Sequence, residues 1–395
     1  MSEKTYVYAG TWTVQAKGVK GGGIGVYEYC PADGSLTYLK TVRQDIVAGK
    51  LCIDEERGVL YTTDETIDSP LFGGNGGGGR VVTFKIDPDS GDLQELGPEQ
   101  PTFGTLPVYL ALDKTRRWMI VCNHSDKQVV TGYTRAEDGK YHVTTHYSIV
   151  TAAVYPIQED GSLGDATDVV PFYQDRTVHP PQNACLHYVG FAEDGKHLIM
   201  TNMKQDMLLM YDLDTEKGRL VECDRIYLPK GSFPHYGVFH PTRRLFYLNY
   251  EHAHIFSTVA YDDTWRLTVR EDIHVAPTLD AAQKPKKVLQ TDVIISKDGQ
   301  YLYDLYRGPN HIWVLAVDAD SGLPVKKQEF SFPENGNPRG GAISPDGKYL
   351  LIADTDNHLL RTLKINSDGT LTDTGLSDGH LQYPGNLLFY SAQQL

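Results

Sequence analysis

No hydrophobic run in the sequence approaches the roughly 18 apolar residues that a membrane-spanning helix needs. The opening Met1-Ser2-Glu3-Lys4 leads into no apolar stretch of the export type. Positive charge is short: 37 Lys and Arg stand against 51 Asp and Glu, a formal net charge of −14, with no basic stripe to reverse it locally. Such a surface repels phosphate backbones and anionic lipid, so neither nucleic acid nor a membrane is expected as a partner. Cysteine is sparse and odd in number. Cys30, Cys52, Cys122, Cys185 and Cys223 are scattered and contain no CxxC pair, which suits unpaired thiols in a reducing, cytoplasmic setting. No Gly-x-Ser-x-Gly elbow offers a serine nucleophile. The run Gly73-Gly74-Asn75-Gly76-Gly77-Gly78-Gly79 leads into a strand instead of a helix, so it builds no phosphate-cradling helix terminus and reads as a loop.

What is present is turn-rich and β-leaning: 38 Gly, 21 Pro and 25 Tyr in 395 residues. That length exceeds an ordinary single core, so internal repeats are the first thing to seek. Two phrases alternate. The first is strand, polar turn, strand. It starts at Leu51-Cys52-Ile53, Val108-Tyr109-Leu110, His187-Tyr188-Val189, His235-Tyr236-Gly237, Val293-Ile294-Ile295 and Gly341-Ala342-Ile343, with Asp-Gly in three of the turns. The second is strand, acidic glycine turn, short strand. It has seven copies, beginning near Val26, Val82, Val154, Leu209, Val259, Val314 and Thr362.

One copy of each phrase supplies four strands at a period of roughly 50 residues, the four-stranded blade of a propeller. A seventh copy of the first phrase is split between Pro384–Tyr390 and Thr5–Ala9. The expectation is an all-β, seven-bladed β-propeller occupying residues 1–395 as one domain, closed by N- and C-terminal strands that share a blade. A stretch from about Thr131 to Tyr147 interrupts the period as an insertion.

Blades present equivalent positions to the central channel, so stacking the repeats brings distant residues together. One position reads Gly49, Val108, His187, His235, Thr291, Arg339 and Gly385. A second, just past the following strand, reads Glu65, His124, Met203, Glu251, Arg307, Thr355 and Trp12. Positions that only pack a repeat would carry similar apolar residues in every blade. These carry different ionisable groups, which points to a ligand site at the channel mouth. His252 and His254 follow Glu251, but strand alternation turns His252 away from it and no motif fixes a ligand set, so no metal and no cofactor is expected.

Several stretches resemble the lactonase family of seven-bladed propellers, the 6-phosphogluconolactonase and muconate-lactonizing type. They are Tyr6-Val7-Tyr8-Ala9-Gly10-Thr11-Trp12, Leu186–Phe191, Phe239-His240-Pro241 with Leu248–Glu251, Tyr306-Arg307-Gly308, and Asn337-Pro338-Arg339. The resemblance covers essentially the whole chain. It implies His187, Glu251 and Arg307 as the catalytic residues. Two positions depart from the family: His235 follows Pro234 where an arginine is usual, and Cys185 replaces a histidine.

Lactone hydrolysis needs an activated water and a cation where the carbonyl oxygen becomes an oxyanion. Glu251 or His187 is the expected base and Arg307 the oxyanion partner, with His235, Arg339, His124 and Glu65 holding a small lactone or sugar acid. The same groups suit a lactonizing cycloisomerase, and a non-catalytic binding scaffold is the reading from another class, although the chain lacks a Trp-Asp repeat. A monomer is expected, because a closed ring exposes few sheet edges.

Overall fold

The computed structural model describes residues 4–12, 22–68, 71, 73, 76–124, 129–177, 182–279 and 287–391. Among the described residues, seven antiparallel sheets stand around an axis, and the innermost strand of each packs against the innermost strands of both neighbours. From the inside outward, blade 1 is Ala48–Asp54, Val59–Asp64, Arg80–Ile86 and Leu93–Glu95. The short Gln100–Pro101 also pairs with its third strand. Blade 2 is Pro107–Leu112, Trp118–Asn123, Val150–Pro156 and Asp168–Phe172, and blade 3 Leu186–Phe191, His197–Asn202, Met207–Asp214 and Arg219–Tyr227. Blades 4, 5 and 6 begin at Pro234–Phe239, Leu289–Ile295 and Pro338–Ile343. Blade 7 takes its inner strand, Pro384–Ser391, from the end of the chain and its other three, Thr5–Thr11, Ile24–Tyr29 and Leu36–Val42, from the beginning. The propeller and its closure therefore match the sequence expectation.

Second strands are buried on both faces: every residue of Val59–Asp64, Trp118–Asn123, His197–Asn202, Leu245–Tyr250 and Tyr349–Asp354 is buried, around a run of apolar side chains in each. The apolar clusters lie between blades. Tyr6, Tyr8, Ile46, Leu60 and Phe84 fill the seam from blade 7 to blade 1.

A recurring latch crosses these seams and uses four of the tyrosines. Tyr8, Tyr61, Tyr247 and Tyr303, on second strands, donate their hydroxyls to the carbonyls of Gly91, Gly161, Gly322 and Gly369 in the outer turns of the next blade, at 2.7–3.1 Å. Thr362 makes the same bond to Gly34 at 3.0 Å. The acidic glycine turns of the second phrase are thus half of an inter-blade joint.

Between the second and third strands of blade 2 the chain forms a two-stranded hairpin, Val129–Arg135 with Tyr141–Tyr147. Of the glycine-rich run, 76–79 lead into the third strand of blade 1, while Gly74 and Asn75 lie outside the described residues. Gly78 sits at φ +74°, and a Cβ on Gly79 would run into Pro107, so this passage allows blades 1 and 2 to approach closely. Among the described residues no helix is long and apolar enough to cross a membrane.

Candidate active site at the mouth of the axial channel

Each inner strand begins with the same irregularity. In all seven blades the pairing of the first two strands slips where the first aligned position falls. His187 is skipped between the pairs Leu186–Asn202 and Tyr188–Thr201, and Arg339 between Pro338–Asp354 and Gly340–Ala353. Val108 and Gly385 are skipped in the same way, while Gly49, His235 and Thr291 each lie in a slightly longer slip. A β-bulge frees a residue from the ladder and re-aims its side chain, here toward the axis.

The second aligned position is tied to the first by the backbone. The N–H groups of Glu65, His124, Met203, Glu251, Thr355 and Trp12 donate to the carbonyls of Val47, Leu106, Cys185, Phe233, Asn337 and Tyr383, two residues before the bulge, at 2.7–2.9 Å. Arg307 pairs with Leu289, the corresponding residue of blade 5. In three blades the side chain ending the second strand supports the same segment: Asp64, Asn202 and Asp354 accept from the N–H of Val47, Cys185 and Asn337.

The ionisable groups gather in two halves. On one side, Arg307 Nη2 is ion-paired with Glu251 Oε1, and His252 Nε2 lies 3.3 Å from Glu251 Oε2. His252 thus turns back toward Glu251, against the alternation read from sequence, because both lie beyond the strand end at Tyr250. Beside this pair the rings of His187 and His235 lie 4.1 Å apart, with His124 edge-on to His187 at 5.5 Å. On the other side, the Arg339 guanidinium lies over the Trp12 ring, 3.7 Å from its centroid. It has no ion-pair partner among the described residues. Glu65 sits next to it, in the notch left by Gly49: a Cβ there would fall 2.5 Å from Glu65 Oε2.

Burial sets the protonation of this cluster. It drives His187 well below the usual imidazole range and His235 down to about 3, with neighbouring arginines pushing the same way. Both rings are neutral at pH 7. His235 Nδ1 lies 2.7 Å from the Thr291 carbonyl, an acceptor only, so its proton is on Nδ1 and Nε2 is left as an acceptor. His187 Nδ1 is buried with no hydrogen-bond partner among the described residues. For Glu251, burial pulls upward, but the Arg307 and Arg339 guanidiniums and neighbouring His252 outweigh it and hold the carboxylate ionised.

The model of the family described as "Lactonase, 7-bladed beta-propeller" matches residues 6–142 and 127–385, nearly the whole chain. The chain belongs to the lactonase family. Among its lactonase relatives, a 6-phosphogluconolactonase from Erwinia tasmaniensis is 25% identical over 85% of this chain and 86% of its own, and one from Bacillus subtilis 24% identical over 88% of each. The solved structure of the periplasmic gluconolactonase PpgL of Pseudomonas aeruginosa superposes with a TM-score of 0.80 at 26% identity, covering 99% of this chain and all of that one.

The seven residues singled out from sequence, His187, Glu251, Arg307, His235, Arg339, His124 and Glu65, gather around this channel mouth. One ring of residues was missed. Lys50, Tyr109, Tyr188, Tyr236 and Asp292 each follow a first-position residue and also turn inward, because the bulge defeats strict alternation. Tyr236 floors the site, its ring 4.4 Å from that of His235 and 5.0 Å from that of His187. Tyr109 and Tyr188 pack beneath it, and the Lys50 ammonium lies 4.2 Å over Tyr109. Reading the repeat alignment one residue further would have found them. Among the described residues no group of three or more His, Cys, Asp or Glu converges as a metal site; the three histidines pack ring against ring.

Proposed function

We propose that this chain is a hydrolase of a small sugar-derived lactone, with water activated at Glu251 and His187 and the oxyanion met by Arg307. The observation that carries the reading is the Glu251–Arg307 ion pair standing beside neutral His187 and His235 in one mouth. An ionised carboxylate and an imidazole without a proton on its free nitrogen are both able to accept a proton from water. A guanidinium beside them stabilises negative charge as it develops on the carbonyl oxygen. The family match and the relatives named 6-phosphogluconolactonase support lactone chemistry.

Arg339, flattened against Trp12, presents its N–H edge to a substrate carboxylate or hydroxyl pair, and His235, His124 and Glu65 supply further polar contacts. The whole of 1–395 acts as one catalytic domain and, with its edges closed, as a monomer. The scattered cysteines and the acidic surface favour a cytoplasmic setting without nucleic-acid or membrane partners.

Hydrolysis of a panel of γ- and δ-lactones, with and without a phosphate group, followed by pH-stat, tests this. Glu251→Gln and Arg307→Ala should each lower kcat/KM by about 10²–10⁴-fold. Turnover unchanged in both would remove these residues from the mechanism. No turnover of any lactone by the wild type would sink the hydrolase reading and leave cycloisomerisation or binding.

A further inference from the structure

Glu251 and Glu65 both face the mouth, and their surroundings differ. Glu251 is ion-paired with Arg307. Glu65, on the opposite wall, has no arginine locked onto it. It fills the space above Gly49 and looks toward the same Arg339 guanidinium that also acts on Glu251. Gly49 makes this possible: any side chain at the first position of blade 1 would displace the carboxyl.

We propose that Glu65 is the proton donor to the leaving ring oxygen, an inference that rests on the lactonase reading above. The base removes one proton from water as the water oxygen bonds to the carbonyl carbon. The acyl carbon to ring oxygen bond then breaks, its electron pair goes to the ring oxygen, and that oxygen takes the proton of the Glu65 carboxyl. The base releases its proton to solvent, and Glu65 regains one. The balance is lactone plus water giving the hydroxy acid.

Electrostatics agree with the geometry. Burial pushes the Glu65 carboxyl up to about 7, opposed by Arg339 from blade 6 and by Trp12 from blade 7 and helped by the adjacent Asp64. Glu251 is held ionised. Two carboxyl groups driven apart in this way divide into an acid and a base.

The test compares lactones that release an alkoxide with a phenol-derived lactone, whose leaving group needs no proton. Wild-type kcat on the first class should fall above about pH 7 as Glu65 loses its proton. Glu65→Gln should lower kcat on alkoxide-releasing lactones by about 10²–10⁴-fold, lower it by less than about tenfold on the phenol-derived one, and abolish the alkaline limb. Glu251→Gln should lower both classes equally. Equal losses on both classes in Glu65→Gln, a change in KM alone, or a surviving alkaline limb would overturn the proposal while leaving the lactonase reading intact. A wild type inactive on every lactone would overturn both. Trp12→Phe gives an independent reading if the glutamine variant does not fold. Loss of the indole raises the Glu65 pKa, so the limb should move to higher pH, and an unmoved limb counts against the role.

Discussion

His235 couples the site to stability through its protonation. Its ordinary pKa in the unfolded chain is about 6.5, and burial lowers it to about 3 in the folded chain. Between those values the unfolded state binds a proton that the folded state refuses. Stability from this group is therefore complete above about pH 6.5 and is lost progressively as pH falls toward 3. At pH 5 the loss should be about 2 kcal/mol relative to pH 7. Urea unfolding of the wild type and of His235→Asn at both pH values should show the variant less acid-sensitive by about that amount. Identical acid sensitivity would mean that His235 is charged, or solvated, in the folded state. At this scale the sequence was informative about identity and silent about state. Stacking the repeats gave His187, His235, Glu251, Arg307 and Arg339 as neighbours. It did not give their charges, which depend on burial depth, nor Tyr236 and Lys50, which reach the axis only because a bulge turns two consecutive residues the same way.

Strands and turns were legible because each blade repeats one hydrophobic pattern and one turn chemistry. The role of the outer turns was not, since a glycine carbonyl that accepts from the next blade leaves no mark within its own phrase. Tyr247→Phe tests that role. It removes the donor to the buried Gly322 carbonyl, a bond of 2.7 Å, and should cost about 1–3 kcal/mol. Tyr133→Phe, on the exposed hairpin, should change stability by less than about 0.5 kcal/mol. The hairpin itself is dispensable to its blade, because Trp118–Asn123 pairs directly with Val150–Pro156. Replacing 127–148 by a short Gly-Ser link should leave the urea midpoint nearly unchanged. A large loss would mean that the hairpin holds the blade together.

Across the molecule, closure depends on one strand. Pro384–Ser391 is the inner strand of blade 7. It pairs with Thr5–Thr11, packs against the inner strands of blades 6 and 1, and accepts the Leu51 N–H on the Asn386 side chain. Its buried Leu387, Phe389 and Tyr390 contribute roughly 1.5–3 kcal/mol each. Their sum, about 5–9 kcal/mol, is comparable to the whole stability of a typical domain, so truncation after Tyr383 should abolish cooperative unfolding rather than shift it. Whether the ring needs this strand or this chain order is a separate matter, and a circular permutant distinguishes them. Thr5 and Ser391 lie opposite one another in register, so a short linker can join them, and new ends can be opened at Gly139 in the hairpin turn. All seven blades and every latch survive that rearrangement. The permutant should unfold cooperatively within a few degrees of the wild type by calorimetry. If it does not, the late arrival of the C-terminal strand during folding, and not only its contacts, is part of what closes the ring.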